Sequence, residues 1–403
     1  MVVYTADIPS EEMLMRADVV IVGGGCTGAS TAFWLASVHR QRVVLVERGQ
    51  VGAGPTAYTS GIVRMHYSYD PLIRLAVRSL ETFRRFDEIV GGPADFRVTG
   101  FLILAPRGQE STLAANVRMQ RRLGVETSLL TPSEVSAIDG RLRTDDVGAG
   151  AYEPRSGYAD GYATTTAFAA AARRHGADIR ESTPVLRLLA DRGRITGVET
   201  SRGRIDAGAV LVAAGPWTPS LLAPLDVRIP IRATRHQVAV LEAPAGTSPL
   251  SPVLVDLVTG LYTRPDVERQ FLMGSVEESP EEEVDANAFN AGADFAFVER
   301  MSARLQQRVP AFAGAAVRRG YASVYDVTPD WQPILGAVPG VDRVFVAAGF
   351  SGHGFKLSPA IGEAMASIMT TGRFDPIDLT PFRYTRFEEG ALIHSPYAHG
   401  IVG

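Results

Sequence analysis

The sequence predicts an α/β protein in which a domain built on a parallel sheet is interleaved with a second, sheet-rich α+β domain. Three observations predict this arrangement. A strand–glycine–helix–strand pattern opens at residue 19, and uncharged apolar runs typical of buried parallel strands return at residues 209 and 344. Several segments between these runs alternate apolar and polar residues, as the strands of a second sheet do. A length of 403 residues suits two or three domains.

The first unit of the chain is a predicted β-α-β crossover. Residues 19–22 and 43–46 are apolar runs that suit buried strands, and residues 28–38 between them suit a helix. The unit spans about 30 residues, the length of a parallel crossover. Residues 19–38 are also uncharged and about as long as a membrane span, but their four glycines favour the strand and helix.

The remaining elements divide the chain between the two domains. Helices are predicted over residues 72–90, 109–123, 131–138, 164–175, 295–308 and 358–370, and strands over residues 101–105, 177–180, 185–189, 195–200, 204–207, 209–213 and 344–348. Residues 229–273 are predicted to build the second sheet, and residues 277–283 an acidic, solvated loop. We assign residues 16–90, 150–220 and 322–385 to the first domain and residues 91–149 and 221–321 to the second.

Composition and charge argue against several classes of protein. A net charge of −4 and a pI near 6.0 give no reason to expect a nucleic-acid or anionic-membrane partner. The seven histidines show no ligand spacing and Cys26 is the one cysteine, so we expect no metal site and no intrachain disulfide. This cysteine content suits a reducing, cytoplasmic location, and the N-terminal segment does not resemble a secretory signal.

A glycine motif follows the first predicted strand. Gly23, Gly25 and Gly28 satisfy G-x-G-x-x-G, with Cys26 and Thr27 inside the motif. The first glycine permits a tight turn, the second lets the backbone approach a pyrophosphate, and the third lets the helix pack closely on the sheet. The helix N-terminus then offers backbone N–H groups to the phosphates.

An acidic residue, Glu47, ends the second strand 19 residues beyond the motif. Its carboxylate can accept hydrogen bonds from an adenosine ribose. The motif alone does not distinguish FAD from NAD. Its position near the N-terminus, the pair Glu47-Arg48, the Ala214-Gly215 that ends a later strand, and a second glycine cluster near the C-terminus favour FAD.

Several motifs together resemble a known family. They are GGGCTGAS with Glu47-Arg48, TSGIVRMHYS, TGVETSRGRIDAGAVLVAAGPW, and YDVTPDWQPILG followed by VAAGFSGHGFKLSPAIGE. Over residues 17–370 the chain resembles the D-amino-acid oxidase family of flavoproteins, especially its sarcosine oxidase and dimethylglycine dehydrogenase branch. The resemblance implies that the first domain is a Rossmann-like FAD-binding domain and the second a substrate domain.

The resemblance places the segment GFSGHGFK over the flavin ring. Its glycines would let the backbone approach a flat ring, and the helix that follows would stabilise negative charge on the reduced flavin. His353 is either a plain loop residue or a group with a direct chemical role. The motifs together predict the following FAD contacts: Gly23, Gly25, Cys26, Thr27, Gly28, Glu47, Arg48, Thr59, Ser60, Val185, Ala214, Gly215, Gly349, Gly352, His353, Gly354, Phe355 and Lys356.

The resemblance also implies a substrate site. Of the 40 basic residues 39 are arginine, and the single lysine, Lys356, lies in this loop. Lys356 and Arg64 match positions that bind the substrate carboxylate, and Tyr262 and Tyr325 match aromatic positions around the substrate. Each of these residues also has a competing interpretation. Lys356 would be a solvated lysine, and Arg64 would make a surface or flavin-phosphate contact. The two tyrosines would pack in the core.

Two departures from the branch affect the expected chemistry. Ser323 and Tyr58 stand where relatives carry the cysteine or histidine that binds FAD covalently, so we expect non-covalent FAD. Leu272 falls near the position of a second lysine that promotes reaction with oxygen. Because this chain has no lysine there, both oxygen and an electron-acceptor protein or quinone stay open as the acceptor of electrons from the reduced flavin.

These features predict FAD-dependent oxidation of a C–N bond in a small amino acid or N-methyl amino acid. Hydride transfer to flavin would give an imine that hydrolyses. One alternative is an FAD-dependent 2-hydroxy-acid dehydrogenase with His66 or His353 as its base. Another is the flavin subunit of a hetero-oligomeric sarcosine oxidase-like complex, and a homo-oligomer is also open. A non-catalytic dinucleotide-binding module is the least favoured.

Overall fold

The computed structural model describes residues 16–277 and 282–397. The predictions for the N-terminal segment and for residues 278–281 of the acidic loop lie outside the described residues. The two described ranges contain nine α-helices: α1 (Cys26–Ser37), α2 (Asp70–Arg84), α3 (Phe86–Val90), α4 (Glu110–Arg122), α5 (Pro132–Ile138), α6 (Gly161–Arg174), α7 (Thr218–Leu222), α8 (Phe295–Arg308) and α9 (Gly354–Thr371).

The strands of the described ranges form three sheets. In chain order they are β1 (Arg16–Val22), β2 (Val43–Val46), β3 (Ile62–Val63), β4 (Arg97–Val98), β5 (Phe101–Pro106), β6 (Ser128–Leu130), β7 (Val147–Glu153), β8 (Gly157–Tyr158), β9 (Asp178–Arg180), β10 (Val185–Asp191), β11 (Arg194–Thr200), β12 (Gly203–Val212), β13 (Arg232–Glu242), β14 (Val253–Asp256), β15 (Leu261–Pro265), β16 (Gln270–Ser275), β17 (Glu282–Glu283), β18 (Ala316–Val327), β19 (Ile334–Ala337) and β20 (Val344–Ala348).

The first sheet has a parallel centre, in the order β20–β12–β1–β2–β9, and β10, β11 and β19 extend it. Val20 of β1 lies between Val210 and Val44. Because both faces of these strands are covered, their sequences are continuous apolar runs. Helices α1 and α9 pack against each other on one face, where Trp34 Nε1 donates to the Pro359 carbonyl oxygen (3.2 Å).

The second sheet has nine strands in the order β17–β13–β16–β15–β14–β5–β7–β6, with β18 paired to β13. Helix α8 covers part of one face through Phe297, Met301 and Leu305. The small third sheet, β3–β8–β4, pairs Ile62 with Tyr158. The predicted α/β class with a sheet-rich second domain is confirmed.

Segments of the first sheet alternate along the chain with segments of the second sheet, in the same order as the segments of the two predicted domains. Two strands straddle the limits of the predicted division. Strand β7 belongs to the second sheet and crosses the limit at residue 150, and β18 belongs to the second sheet and crosses the limit at residue 322. The division itself stays a prediction.

Three local predictions were wrong. The single helix expected over residues 72–90 is interrupted at Arg85, whose backbone (φ −115°, ψ 28°) leaves the helical region. The strands expected over residues 204–207 and 209–213 are one strand, β12, because Gly208 lets Asp18 of β1 approach closely; a Cβ there would lie 2.9 Å from the Asp18 carbonyl oxygen. Residues Glu282–Glu283 of the expected loop pair with β13.

The membrane interpretation of residues 19–38 is also settled by the fold. These residues are shared between a strand and a helix, β1 and α1. Over the residues that the structure describes, we find no helix with the length and apolar character needed to span a bilayer.

Candidate active site

The carboxyl ends of four parallel strands meet at one edge of the first sheet. Strand β1 ends before Gly23, β2 before Glu47, β12 before Ala213 and β20 before Gly349. A cleft of about 480 Å³ opens at this edge and extends to Tyr325 of the second sheet. Ligands of open parallel sheets bind outside the carboxyl ends of the strands, and the volume is that of a small-molecule site.

The first glycine loop is built for close approach. A Cβ on Gly28 would lie 2.0 Å from the Gly23 carbonyl oxygen, and one on Gly23, at φ +110°, would lie 2.4 Å from the Ala213 carbonyl oxygen. Gly25 precedes α1 directly and lines the cleft with Cys26. The N-terminus of α1 therefore faces the cleft, where its N–H groups and partial positive charge suit a pyrophosphate.

Glu47 braces the loops around the cleft. Its Oε2 accepts a hydrogen bond from the Gly24 N–H (2.7 Å), and its Oε1 accepts one from the Gly49 N–H (2.7 Å). Each carboxylate oxygen keeps a further lone pair. The side chain can therefore hold the loops and still accept a ribose hydroxyl.

Arg48 belongs to a cluster at the cleft that sequence reasoning did not find. Its guanidinium lies 3.6 Å from the centre of the Trp217 ring. Asn287 Oδ1 accepts hydrogen bonds from Arg48 Nη1 (3.1 Å) and Trp217 Nε1 (2.8 Å). All three side chains line the cleft, and a planar cation on an indole makes a flat surface there.

The second glycine loop, residues 349–354, is fixed from the adjoining strand β18. The Asp326 carboxylate accepts a hydrogen bond from the Gly349 N–H (2.6 Å), and the Asp326 carbonyl oxygen accepts one from Ser351 (3.0 Å). Burial raises the pKa of Asp326 to about 6. A Cβ on Gly352, at φ +86°, would lie 2.8 Å from the Tyr325 ring, so only glycine fits between the loop and that ring.

Lys356 lies in the first turn of α9 and lines the cleft. Only 9% of the residue is exposed, and its Nζ donates to the Gly352 carbonyl oxygen (3.2 Å). Burial, and next the positive charge of Arg64, hold the pKa of Lys356 well below its ordinary value. The ammonium is thus poorly solvated and lies within range of a second cation.

Arg64 follows β3 and is 5% exposed. It donates to the His66 carbonyl oxygen, and its guanidinium lies 4.5 Å from the centre of the Tyr67 ring. Burial raises the pKa of Glu153, which hydrogen bonds from Ser156 and Met65 and then the charge of Arg64 lower only in part. Two cations and one acid therefore lie within electrostatic range of one another in the protein interior, and a bound anion would relieve the repulsion between the cations.

Of the predicted aromatic residues, Tyr325 lines the cleft, whereas Tyr262 and also His353 are buried outside its lining. The Tyr325 ring stacks on His236 at 3.8 Å, and burial raises the pKa of Tyr325 to about 12. Tyr262 is buried, and burial raises its pKa well above the ordinary value. The Tyr67 hydroxyl lies 3.3 Å from Nδ1 of the buried His353. The tyrosines therefore stay protonated and neutral at ordinary pH.

Most of the predicted contact residues line the cleft. They are Gly23, Gly25, Cys26, Thr27, Glu47, Arg48, Thr59, Ser60, Val185, Ala214, Gly215, Tyr325, Gly352, Gly354, Phe355 and Lys356. Five do not: Gly28, Arg64, Tyr262, Gly349 and His353. Gly28 and Gly349 pack against the backbone or side chain of a neighbouring segment instead, and the other three are buried.

Several lining residues were missed. Thr56, whose Oγ1 accepts a hydrogen bond from the Cys26 N–H (3.3 Å), lies in a stretch without periodicity. Trp217 is the last residue of the motif TGVETSRGRIDAGAVLVAAGPW, and this position was the only signal in the sequence that pointed to it. Asn287 lies 239 residues from Arg48, and no local pattern announces such a contact.

Comparison with known proteins gives the family. The model of the DAO family, described as FAD dependent oxidoreductase, matches residues 18–368. The chain belongs to the DAO family of FAD-dependent oxidoreductases. The family and branch resemblance predicted from the sequence motifs is confirmed, and so is FAD as the cofactor.

Individual DAO relatives cover nearly the whole chain. Sarcosine oxidase subunit beta from Arthrobacter sp. is 30% identical over 385 residues, covering 93% of this chain and 92% of the relative. FAD-dependent oxidoreductase domain-containing protein 1 from Bos taurus is 28% identical, covering 96% and 87%. The crystal structure of L-proline dehydrogenase from P. horikoshii matches with a TM-score of 0.87 and 28% identity, covering 94% and 100%.

The described cleft fits FAD. The two helix N-termini, the glycines that admit no Cβ and the Glu47 carboxylate are the groups that a dinucleotide needs. Within residues 16–277 and 282–397, no cluster of three or more His, Cys, Asp or Glu side chains is arranged to hold a metal ion.

Proposed function

We propose that this DAO-family protein oxidises the C–N bond of a small amino acid or N-methyl amino acid. The proposal is supported by relatives whose names specify such substrates, sarcosine and L-proline. The observation that carries it is the pair Arg64 and Lys356, two buried cations beside the cleft that favour an anionic ligand. A carboxylate is the anion that amino-acid substrates bring.

The residues around the pair have distinct tasks in this proposal. Arg64 and Lys356 bind the carboxylate by charge-assisted hydrogen bonds. Tyr262 and Tyr325 flank the amine, and their apolar ring faces keep water away from the donor carbon. When bound, FAD supplies the two-electron acceptor for the hydride of that carbon. The released imine hydrolyses in water to an aldehyde or keto acid.

The alternative of a 2-hydroxy-acid dehydrogenase is less favoured. It requires a base for the hydroxyl proton. Of the two candidate bases, His66 is weak, because burial and next the charge of Arg64 lower its pKa to about 3, which leaves His353 as the remaining candidate. An amine that loses its proton to solvent and binds in the neutral form needs no such base, because its nitrogen lone pair assists the departure of hydride.

The test is anaerobic addition of sarcosine, L-proline, glycine and, as the hydroxy acid, lactate while the visible flavin absorbance is followed. Bleaching by an amine and not by lactate is expected. Lys356→Met should weaken binding of the active amine at least about tenfold, as loss of a charge-assisted bond predicts. Arg373→Met, at an exposed ion pair, is the control. Bleaching by lactate alone, or unchanged binding in Lys356→Met, would contradict the proposal.

The form of FAD, the electron acceptor and the assembly belong to the same proposal. Ser323 and Tyr58 line the cleft where a covalent link would need cysteine or histidine, so acid precipitation should release all flavin to the supernatant. Reoxidation by oxygen in stopped flow distinguishes an oxidase from a dehydrogenase that uses an acceptor protein or quinone. A size measurement in native extract tests whether the protein belongs to a hetero-oligomer, as the word subunit in the name of the sarcosine oxidase relative implies for that relative. Cell fractionation tests the cytoplasmic location.

A further inference from the structure

The segment of residues 384–397, here called the C-terminal strap, is anchored to the first domain by a buried ion pair. Arg386 Nε and Nη2 each donate to the Asp330 carboxylate at 2.8 Å, and both side chains are fully buried. The Ile393 N–H donates to the same carboxylate (3.3 Å). Breaking such a pair would leave a buried charge unpaired, so the strap is held firmly along residues 386–393.

The anchor is connected to the second glycine loop. Thr328 Oγ1 donates to the Asp330 carboxylate (3.2 Å), and the Thr328 N–H donates to Ser351 Oγ (3.2 Å). A Cβ on Gly349 would lie 2.4 Å from the Thr328 side chain. The strap is therefore seated on the same segment that fixes the loop at the cleft.

The far end of the strap enters the core of the second sheet. Tyr397 is 5% exposed and packs in one apolar cluster with Phe101 and Tyr262, whereas Ile393 packs in the core of the first domain. The strap thus crosses from the FAD-binding part of the molecule to the part that carries the substrate-site aromatic residues.

Tyr397 is one hydrogen-bonded residue away from Arg64. Its hydroxyl lies 2.7 Å from His66 Nε2, and the His66 carbonyl oxygen accepts a hydrogen bond from Arg64. The guanidinium of Arg64 is 5.9 Å from the centre of the Phe101 ring, which also faces His66 at 6.4 Å. His66 is fully buried, so the position of its ring depends on these few contacts.

We propose that Tyr397 of the C-terminal strap is a positioning residue that orients Arg64 through His66. The inference rests on the proposed function, because it takes Arg64 as the carboxylate-binding group. Tyr397 touches neither substrate nor FAD in this account.

The experiment measures dissociation constants of acetate and benzoate, a small and a bulky carboxylate, from the change that each causes in the flavin absorption spectrum of the holoenzyme. Tyr397→Phe removes only the hydroxyl and should weaken both ligands by about three- to tenfold, the effect of one hydrogen bond. Tyr397→Ala also removes the ring, whose centre lies 5.8 Å from that of His66, and should weaken both ligands at least as much.

Two controls separate positioning from general damage. Tyr384→Phe removes a comparable hydroxyl of the strap, which donates to the Arg228 carbonyl oxygen (2.9 Å), and should change neither constant. In an Arg64→Met background, Tyr397→Phe should have no further effect on acetate, because it acts only through the missing guanidinium. The spectral signal comes only from FAD-bound molecules, so partial loss of flavin does not obscure the comparison.

The outcomes distinguish the inference from the proposed function. If Arg64→Met leaves the acetate constant unchanged, the carboxylate assignment fails and the proposed function with it. If Arg64→Met weakens acetate while Tyr397→Phe stays within twofold of the parent, only the inference fails. A full effect of Tyr397→Phe in the Arg64→Met background also overturns the inference.

Discussion

At the scale of single residues, the site buries near one another charged groups that ordinarily lie apart in water. Lys356 is nearly buried and within range of Arg64, while the acid Glu153 is fully buried nearby. Such groups are costly to bury unless they are paired, so they mark a functional site more often than a packing need. Their protonation should therefore respond to ligand binding.

Acetate binding should weaken as pH rises because of Lys356. Its pKa in the ligand-free protein lies well below the ordinary value, so the ammonium loses its proton as pH rises through that lowered pKa. Acetate needs the charged form and raises the pKa when it binds, so its dissociation constant should increase by up to tenfold per pH unit between the two pKa values. The measurement is spectral titration from above the pKa of Asp326, about 6, to the ordinary pKa of lysine, about 10.4. Lys356→Met should flatten this profile, and a flat profile in the parent would refute the account.

Asp326 should destabilise the fold once it is ionised. Burial raises its pKa from 3.8 to about 6, so the folded state disfavours the carboxylate and stability falls as pH rises through this interval. Asp326→Asn should therefore raise the free energy of unfolding by up to about 3 kcal/mol at pH 8 and by less at pH 5. Thermal unfolding of the flavin-free protein measures this. Asp375→Asn, at an exposed position, is the control, and an equal gain at both pH values would contradict the assignment.

At the scale of secondary-structure elements, the cleft is defined by two helices that begin at it. Helix α1 opens at Cys26 and α9 at Gly354, and both first turns line the cleft. The helices meet where Gly362 faces Ser30, and a Cβ on Gly362 would lie 2.1 Å from Ser30 Oγ. This close packing holds the two positive helix ends at fixed positions, which suits a cofactor with a pyrophosphate at one end and a reducible ring at the other.

Gly352→Ala should weaken FAD binding by more than the cost of placing an alanine in a left-handed backbone conformation. The added Cβ would lie 2.8 Å from the Tyr325 ring and would have to displace the loop or the ring. Gly372→Ala is the matched control, since Gly372 has nearly the same φ, +85° against +86°, but no atom within 4 Å of an added Cβ. Both variants carry the same penalty of about 1–2 kcal/mol for a left-handed residue. Equal FAD dissociation constants, measured by fluorescence titration, would show that the contact with Tyr325 is unimportant.

At the scale of the whole molecule, two buried ion pairs connect segments that are distant along the chain. Arg308 of α8 donates to Asp256 of β14 (2.7 Å) and to Asp146 (2.7 Å), with Arg308 and Asp256 almost inaccessible to water. Arg386 and Asp330 join the C-terminal strap to the first domain in the same way. These pairs fix how distant segments come together around the site.

Arg308→Met should therefore be strongly destabilising. It would leave the Asp256 carboxylate buried without its cation, which costs about 3–5 kcal/mol. Arg373→Met removes one partner of an exposed pair, with side chains 77% and 70% accessible, and should cost less than about 1 kcal/mol. Urea unfolding followed by circular dichroism compares the two. A loss in Arg308→Met no greater than in Arg373→Met would refute the structural role of the buried pair.

The sequence by itself determined the local parts of this protein. The β-α-β unit, the glycine motif and Glu47 are fixed by short-range patterns, because strand burial, turn geometry and helix entry are decided within about 30 residues. The resemblance to the DAO family added FAD and the place of the second glycine loop, and the structure brings most of the predicted contact residues to one cleft. The interruption at Arg85 and the continuous strand β12 were mispredicted because packing partners, and not local pattern, decide such boundaries.

Only the tertiary structure decided the second layer of the site. Glu153, His66 and Tyr397 come from three separate segments, and Asn287 meets Arg48 across 239 residues. No periodicity or spacing encodes these contacts, because each depends on where other segments pack after the two sheets have formed. The assembled fold excludes water from these buried residues, and this exclusion shifts their pKa values.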